Sequence, residues 1–371
     1  MAFTWDIFLL AVSFGFMYGF LLQKADFCFV ASIRDWISVR DTRILNGVLV
    51  LIVTSLVGWY IVLSTGAADI SQIWTVPIGG ANLLGGILFG IGMTLAGGCG
   101  SGTLYRCGMG YVQFWIVLLF AIIGNLIFAA IYDPWARDYV VQPLTINEQG
   151  FTLYNWSIPT FVMPAVLILI IVGGALYRYG WSGIKEAVRE AVTDWQGNPL
   201  RQRHWDIRVV AVLLASIATI QFAVMSNVSI TGPETRIGAV AIALLFGDDV
   251  IFNNTYLNAL FSDFPKIGLG PEESLIFALI LGSFTAAFLS GSFRWRLPRL
   301  SRLPNAIIGG LLMGIASRMA PGCNIANLIT GVGGLSVSSF IVIIGMIIGI
   351  FIVVAFIFKM PLLLFQRQVE E

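Results

Sequence analysis

Charge is scarce in this chain of 371 residues: Asp, Glu, Lys and Arg make up 11% of it, against about 25% in a soluble domain. The charges it has are balanced, 21 basic against 20 acidic. No clustered excess of base exists to hold phosphates, so nucleic-acid binding is excluded. Histidine is nearly absent, with His204 alone. Cysteine occurs four times, at Cys28, Cys99, Cys107 and Cys323, with no Cys-x-x-Cys pair. Zinc, haem and iron–sulfur spacings are therefore missing, and no metal or cofactor is expected. No phosphate-binding loop is present either, which removes direct use of ATP. What is abundant is apolar: 58% of the residues are hydrophobic and the mean hydropathy is +0.88. That balance excludes a disordered chain and a disulfide-stapled secreted scaffold. It predicts an all-α polytopic membrane protein. No basic residue precedes Lys24, so the first apolar stretch lacks the n-region of a signal peptide and reads as a mature span.

A spanning helix needs roughly 20 apolar residues. Residues 44–63, 112–131, 158–177, 273–292 and 337–358 satisfy this without interruption. Residues 5–40, 79–110, 207–247 and 304–334 are apolar but longer and interrupted, and read as broken spans. The total is nine. Basic residues concentrate in alternate loops: Arg34, Arg40 and Arg43; Arg178 to Arg208; and Arg294 to Arg302. The intervening loops lean acidic, through Asp133, Asp138 and Glu148, and through Asp248, Asp249, Asp263 and Glu272 against Lys266. The positive-inside bias then places the N-terminus outside and the C-terminus, after Lys359 and Arg367, in the cytoplasm. Residues 178–208 read equally as a short amphipathic helix on the headgroups or as a solvated linker.

Residues 85–110 superpose on residues 309–334 without a gap. The matches include Gly85/Gly309, Gly86/Gly310, Gly90/Gly314, Ala96/Ala320, Gly98/Gly322 and Cys99/Cys323. The loop charges run these two segments in opposite directions, which predicts an inverted-topology repeat. Residues 1–131 form a first half of four spans. Residues 132–206 hold an outer loop, a connecting span and a linker, and residues 207–371 form the second, inverted half. Gly85, Gly86, Gly90, Gly309, Gly310 and Gly314 lie along helix shafts and read as close-packing positions. Gly97-Gly98 and Pro321-Gly322 read instead as helix breaks at the bilayer midplane, with further breaks near Cys28 and Thr231-Gly232-Pro233.

A broken helix restarts with free N–H groups and partial positive charge, a site suited to an anion. The restarts fall at Gly100-Ser101 and Asn324-Ile325, beside Cys99 and Cys323. The candidate substrate-binding set is therefore Cys28, Cys99, Cys323, Gly98, Gly100, Ser101, Gly322 and Asn324. Cys107, Lys24, Arg106 and Arg318 are secondary candidates, because a cation inside a span usually lines a pathway. Lys24 is placed to pair with Asp26, and Arg106 to reach the cytoplasmic surface by snorkelling.

At Gly98-Cys99-Gly100-Ser101-Gly102-Thr103-Leu104-Tyr105-Arg106, Ala320-Pro321-Gly322-Cys323-Asn324-Ile325 and Lys24-Ala25-Asp26-Phe27-Cys28-Phe29 the chain resembles the YeeE/YedE family of bacterial sulfur transporters. The resemblance implies an hourglass fold with concave mouths on both sides and a thin central barrier. It implies uptake of thiosulfate across the inner membrane, with Cys28, Cys99 and Cys323 as the family's motif cysteines. It also implies a small cytoplasmic sulfur-carrier protein as partner. Two departures stand out: Met109-Gly110 lies where relatives often have an acidic residue before Gly, and Cys107 is not a general feature. The expected activity is passage of thiosulfate or a related sulfur anion along thiols and helix N-termini. Cys28 would meet it toward the outer mouth, Cys99 and Cys323 nearer the centre, and Cys107 at the exit. An integral-membrane thiol enzyme and a transporter of a selenium species are the alternatives; a purely structural subunit leaves the cysteines unexplained.

Overall fold

A computed structural model describes residues 5–147, 149–156, 159–193, 198–262 and 270–356. Glu148, Asp263, Lys266, Lys359 and Arg367, used above for loop charge, fall outside the described residues. Of the described residues, 78% are helical. In order, the helices are α1 (Trp5–Ala25), α2 (Phe29–Val39), α3 (Arg43–Ser64), α4 (Gly80–Ala96), α5 (Gly100–Gly108), α6 (Val112–Ile131) and α7 (Val162–Thr193). They continue as α8 (Ile207–Val224), α9 (Thr231–Phe246), α10 (Asp249–Phe252), α11 (Thr255–Phe261), α12 (Pro271–Leu289), α13 (Leu303–Met319) and α14 (Val337–Phe356). Among the described residues nine helical stretches are long and apolar enough to cross a membrane, as the sequence predicts.

Glycine lets the central helices meet backbone to backbone. A Cβ on Gly86 or Gly90 of α4 would lie 2.4 or 2.3 Å from the carbonyl oxygens of Val342 and Met346 on α14, and Gly345 and Gly349 return the contact to Leu83 and Ile87. Gly310 and Gly314 of α13 meet Val117 and Ala121 of α6 in the same way. Gly15 and Gly19 of α1 meet Leu275 and Leu279 of α12. Between α4 and α13, Gly85 faces Ala320 while Gly92 and Ala96 face Gly309, so these two helices cross antiparallel. With no hydrophobic drive between helices in lipid, such close dispersion contact is what holds them. The shaft glycines thus pack helices, as read from their spacing.

The helix interruptions fall where the sequence places them. Gly97 (φ 80°) and Gly322 (φ 101°) turn left-handed, a conformation that disfavours residues with a Cβ. Backbone groups freed there cannot be satisfied by lipid. Protein satisfies them: Arg106 Nη1 donates to the Gly97 carbonyl at 2.7 Å, Gln113 Nε2 to Ala96 at 3.2 Å and Asn327 Nδ2 to Cys323 at 3.0 Å.

Two features differ from the sequence reading, and a third takes up one of its two alternatives. Helical structure continues past residue 131 as a π-helical turn, Tyr132–Val141, where an outer loop is expected; its mixed polar and aromatic composition hides it from a hydropathy window. A two-stranded ribbon pairs Ile78–Gly79 with Thr145–Asn147, joining two loops. The 178–208 segment is helical as far as Thr193, running on from α7 through a kink at Gly180.

Lys24 does not pair with Asp26. Its buried ammonium donates to the carbonyls of Leu200 (2.8 Å) and Gln202 (2.7 Å), and its own carbonyl accepts from Trp205 N–H. It fastens the linker ahead of α8. Lys24→Met removes two charge-assisted bonds, each worth about 1.5–3 kcal/mol. The expected result is faster trypsin cleavage at Arg201 and Arg203; unchanged cleavage would count against the tether.

Candidate functional site

Each motif cysteine stands at the start of a helix that follows a break. Cys28 is the N-cap of α2, Cys99 the N-cap of α5, and Cys323 directly precedes the helical run beginning at residue 324. All three are buried free thiols. The breaks bring them to one place around the first turn of α5. Cys28 Sγ donates to Cys99 Sγ at 3.8 Å. Cys99 Sγ also accepts the Gly102 N–H at 3.3 Å and lies 3.6 Å from Ser101 Oγ. A Cβ on Gly100 would sit 3.2 Å from the Cβ of Cys323, and one on Gly102 would sit 3.1 Å from Cys99 Sγ and 3.4 Å from Cys28 Sγ. Cys28, read from the sequence as the cysteine nearer the outer mouth, is in direct contact with Cys99.

The neighbouring candidates frame this cluster. Gly98 is closed in by Phe114 and by Arg106 Nη1, which a Cβ would meet at 2.8 and 3.1 Å. Gly322 is covered by Trp74, whose ring a Cβ would meet at 2.7 Å. Asn324 is buried, its Oδ1 has no hydrogen-bond partner among the described residues, and it lies 4.0 Å from the Cβ position of Gly100. A buried amide oxygen without a partner is costly, and it lies beside the helix start where a ligand would sit. Cys107 is buried on the last turn of α5, at its far end from Cys99.

Arg106 is held by the break as well as opening onto a mouth. Its guanidinium turns inward to Gly97, stacks at 5.1 Å on Phe114 and lies 3.5 Å from Asp26, which accepts Tyr105 Oη at 2.6 Å. With Arg203, His204, Arg294 and Arg296 it lines a cavity of about 450 Å³ in which Asp26 is the acidic group. Four guanidiniums against one carboxylate make this mouth attractive to anions. On the other side of the cluster, Arg318 donates to Thr231 Oγ1 at 2.5 Å and to Ser317 Oγ at 3.3 Å.

Sequence reasoning missed Glu234, which is 4% exposed on the first turn of α9 and lines a small cavity with Gly100, Thr103 and Ser317. The signal was available, since Glu234 is an acid inside a stretch read as spanning. Among the described residues no group of three or more His, Cys, Asp or Glu could hold a metal ion.

The comparisons follow this geometry. A family described as sulphur transport matches residues 24–352. The thiosulfate transporter TsuA of Spirochaeta thermophila is 28% identical over 352 residues, covering 90% of this chain and 94% of the relative. TsuA of Escherichia coli is 25% identical over 342 residues, covering 91% and 90%. The probable transporter YedE of Escherichia coli is 35% identical over 166 residues, covering 44% and 40%. All three are named as transporters rather than enzymes. With nine apolar helices and three cysteine motifs inside the matched region, this multi-pass membrane chain belongs to the sulphur transport family, the YeeE/YedE family that its motifs resemble.

Proposed function

We propose that the protein takes up thiosulfate or a closely related sulfur anion across the bacterial inner membrane, handing it between thiols and helix N-termini. One observation carries this reading: Cys28, Cys99 and Cys323 cap three restarted helices that converge around the first turn of α5. Thiosulfate has a soft terminal sulfur and an oxyanion head. Neutral thiols donate weak S–H hydrogen bonds to the first, and free N–H groups at helix starts receive the second. Contacts that are individually weak suit passage, because the substrate must leave as well as bind. The basic cavity beside Arg106 supports an anionic rather than a neutral substrate. The two TsuA relatives carry thiosulfate in their names.

An inverted repeat of residues 1–131 and 207–371 underlies the reading. Its support is an exchange of partners: α4 packs on α14 as α13 packs on α6, and α1 packs on α12 as α8 packs on α3. In this reading the N-terminus lies outside, and the basic mouth and the C-terminus face the cytoplasm; the alternation of loop charge supports it. A small sulfur-carrier protein is the partner that would collect the anion there.

The test is flux of doubly labelled thiosulfate into liposomes holding the purified protein. Intact thiosulfate is expected inside. Sulfite appearing in step with uptake would overturn the transport reading in favour of a thiol enzyme, and preference for a selenium anion in competition would reassign the substrate.

A further inference from the structure

Glu234 is a buried carboxylic acid that the path described above does not use. It lines a cavity with groups that matter to that path: Gly100, which touches Cys323, and Thr231 and Ser317, which both hydrogen-bond Arg318 of α13. From α6 the cavity wall is Leu118 and Ala121, and from its own helix it is Thr231. The acids of α12, Glu272 and Glu273, are held by Arg236 instead. Among the described residues the Glu234 side chain makes no hydrogen bond and no ion pair within 4.0 Å. The Arg318 guanidinium hydrogen-bonds Thr231 and Ser317, two residues of the same cavity wall.

An ionised carboxylate away from water is costly unless a cation compensates it. Arg318, bound to Thr231 and Ser317 in the wall of the Glu234 cavity, is placed to be that cation. Gly100, which touches Cys323, also lines the Glu234 cavity, so an anion held at that helix start draws on the same guanidinium. Two negative charges close together do not both stay ionised around one cation. A proton on the carboxylate resolves the conflict, and the proton must leave when the anion does.

Resting on the transport reading above, we propose that Glu234 is a proton-carrying residue. It takes up a proton when a sulfur anion occupies the Cys323–Gly100 end of the site and gives it up when the anion departs, so that anion and proton cross together. No bond in the anion is made or broken.

The experiment uses the full chain in liposomes with labelled thiosulfate and a trapped pH-sensitive dye, the membrane potential clamped at zero. Wild type is expected to acidify the lumen as thiosulfate enters, and to accumulate it about tenfold per pH unit of inward proton gradient for one proton per anion. Glu234→Gln, a permanently uncharged side chain, is expected to keep thiosulfate exchange but lose both acidification and gradient-driven accumulation. Glu234→Asp is expected to retain them. Equal acidification by Glu234→Gln overturns the proposal, as does a folded Glu234→Gln that no longer exchanges. Thiosulfate entry by wild type without acidification overturns it while leaving the transport reading intact. Wild type that moves no thiosulfate at all overturns both.

Discussion

Cys99→Ser is expected to leave the protein folded and to stop thiosulfate uptake. Cys99 Sγ is the common acceptor at the centre of the cluster, taking the Gly102 N–H and facing Cys28 Sγ. Serine is a better N-cap than cysteine, so α5 should start as firmly and the melting temperature should hold. What serine lacks is the larger, softer sulfur that reaches Cys28 and meets the substrate's own sulfur. Cys99→Ala goes further and strands a buried N–H, at about 1–3 kcal/mol. A fall in uptake of about tenfold or more is expected for either variant at equal expression, which corresponds to about 1.4 kcal/mol or more of lost thiol contact with the substrate. The assay is growth and labelled uptake in cells whose sole sulfur source is thiosulfate. Wild-type rates in Cys99→Ser would dismiss the thiol contact.

Gly314→Val should produce a large loss of stability. Even the Cβ would lie 2.1 Å from the carbonyl oxygen of Ala121 and 2.8 Å from both Asn125 N and Gly124 Cα. These are backbone atoms of α6, so no side chain can step aside. Overpacking usually costs about 1–3 kcal/mol, and a branched residue against main chain belongs at the top of that range. Gly174→Val on α7 is the control, because nothing lies within 4 Å of its Cβ position. Thermal denaturation in detergent should separate the two variants clearly; coincident curves would refute the backbone contact between α6 and α13.

The spans, the breaks and the thiol positions were legible because each is written in local chemistry: runs of apolar residues, Gly and Pro inside them, and cysteine beside the interruptions. The partners of the buried charges were not. Lys24 reaches carbonyls of residues 200 and 202, Arg106 a carbonyl opened by a break, and Arg318 a hydroxyl on α9. All of these depend on chain reversals that carry no short-range pattern. Nearest charge in sequence, which suggests Lys24 with Asp26, is a poor guide where backbone carbonyls freed by breaks compete for the same cation. Glu234 was overlooked for a related reason: its neighbours come from α5 and α13, far away along the chain.

Main chain resting on main chain has a mechanical consequence. Along α4, α6, α13 and α14 there is no cushion of side chains between the rods, so tilting one half against the other would pry many interlocked contacts apart at once. Movement is left to the short links that leave this stiff frame at Gly97 and Gly322. On the transport reading proposed above, the anion would pass a fixed casing by the shift of a few side chains and a turn of backbone, without swinging one set of helices against another.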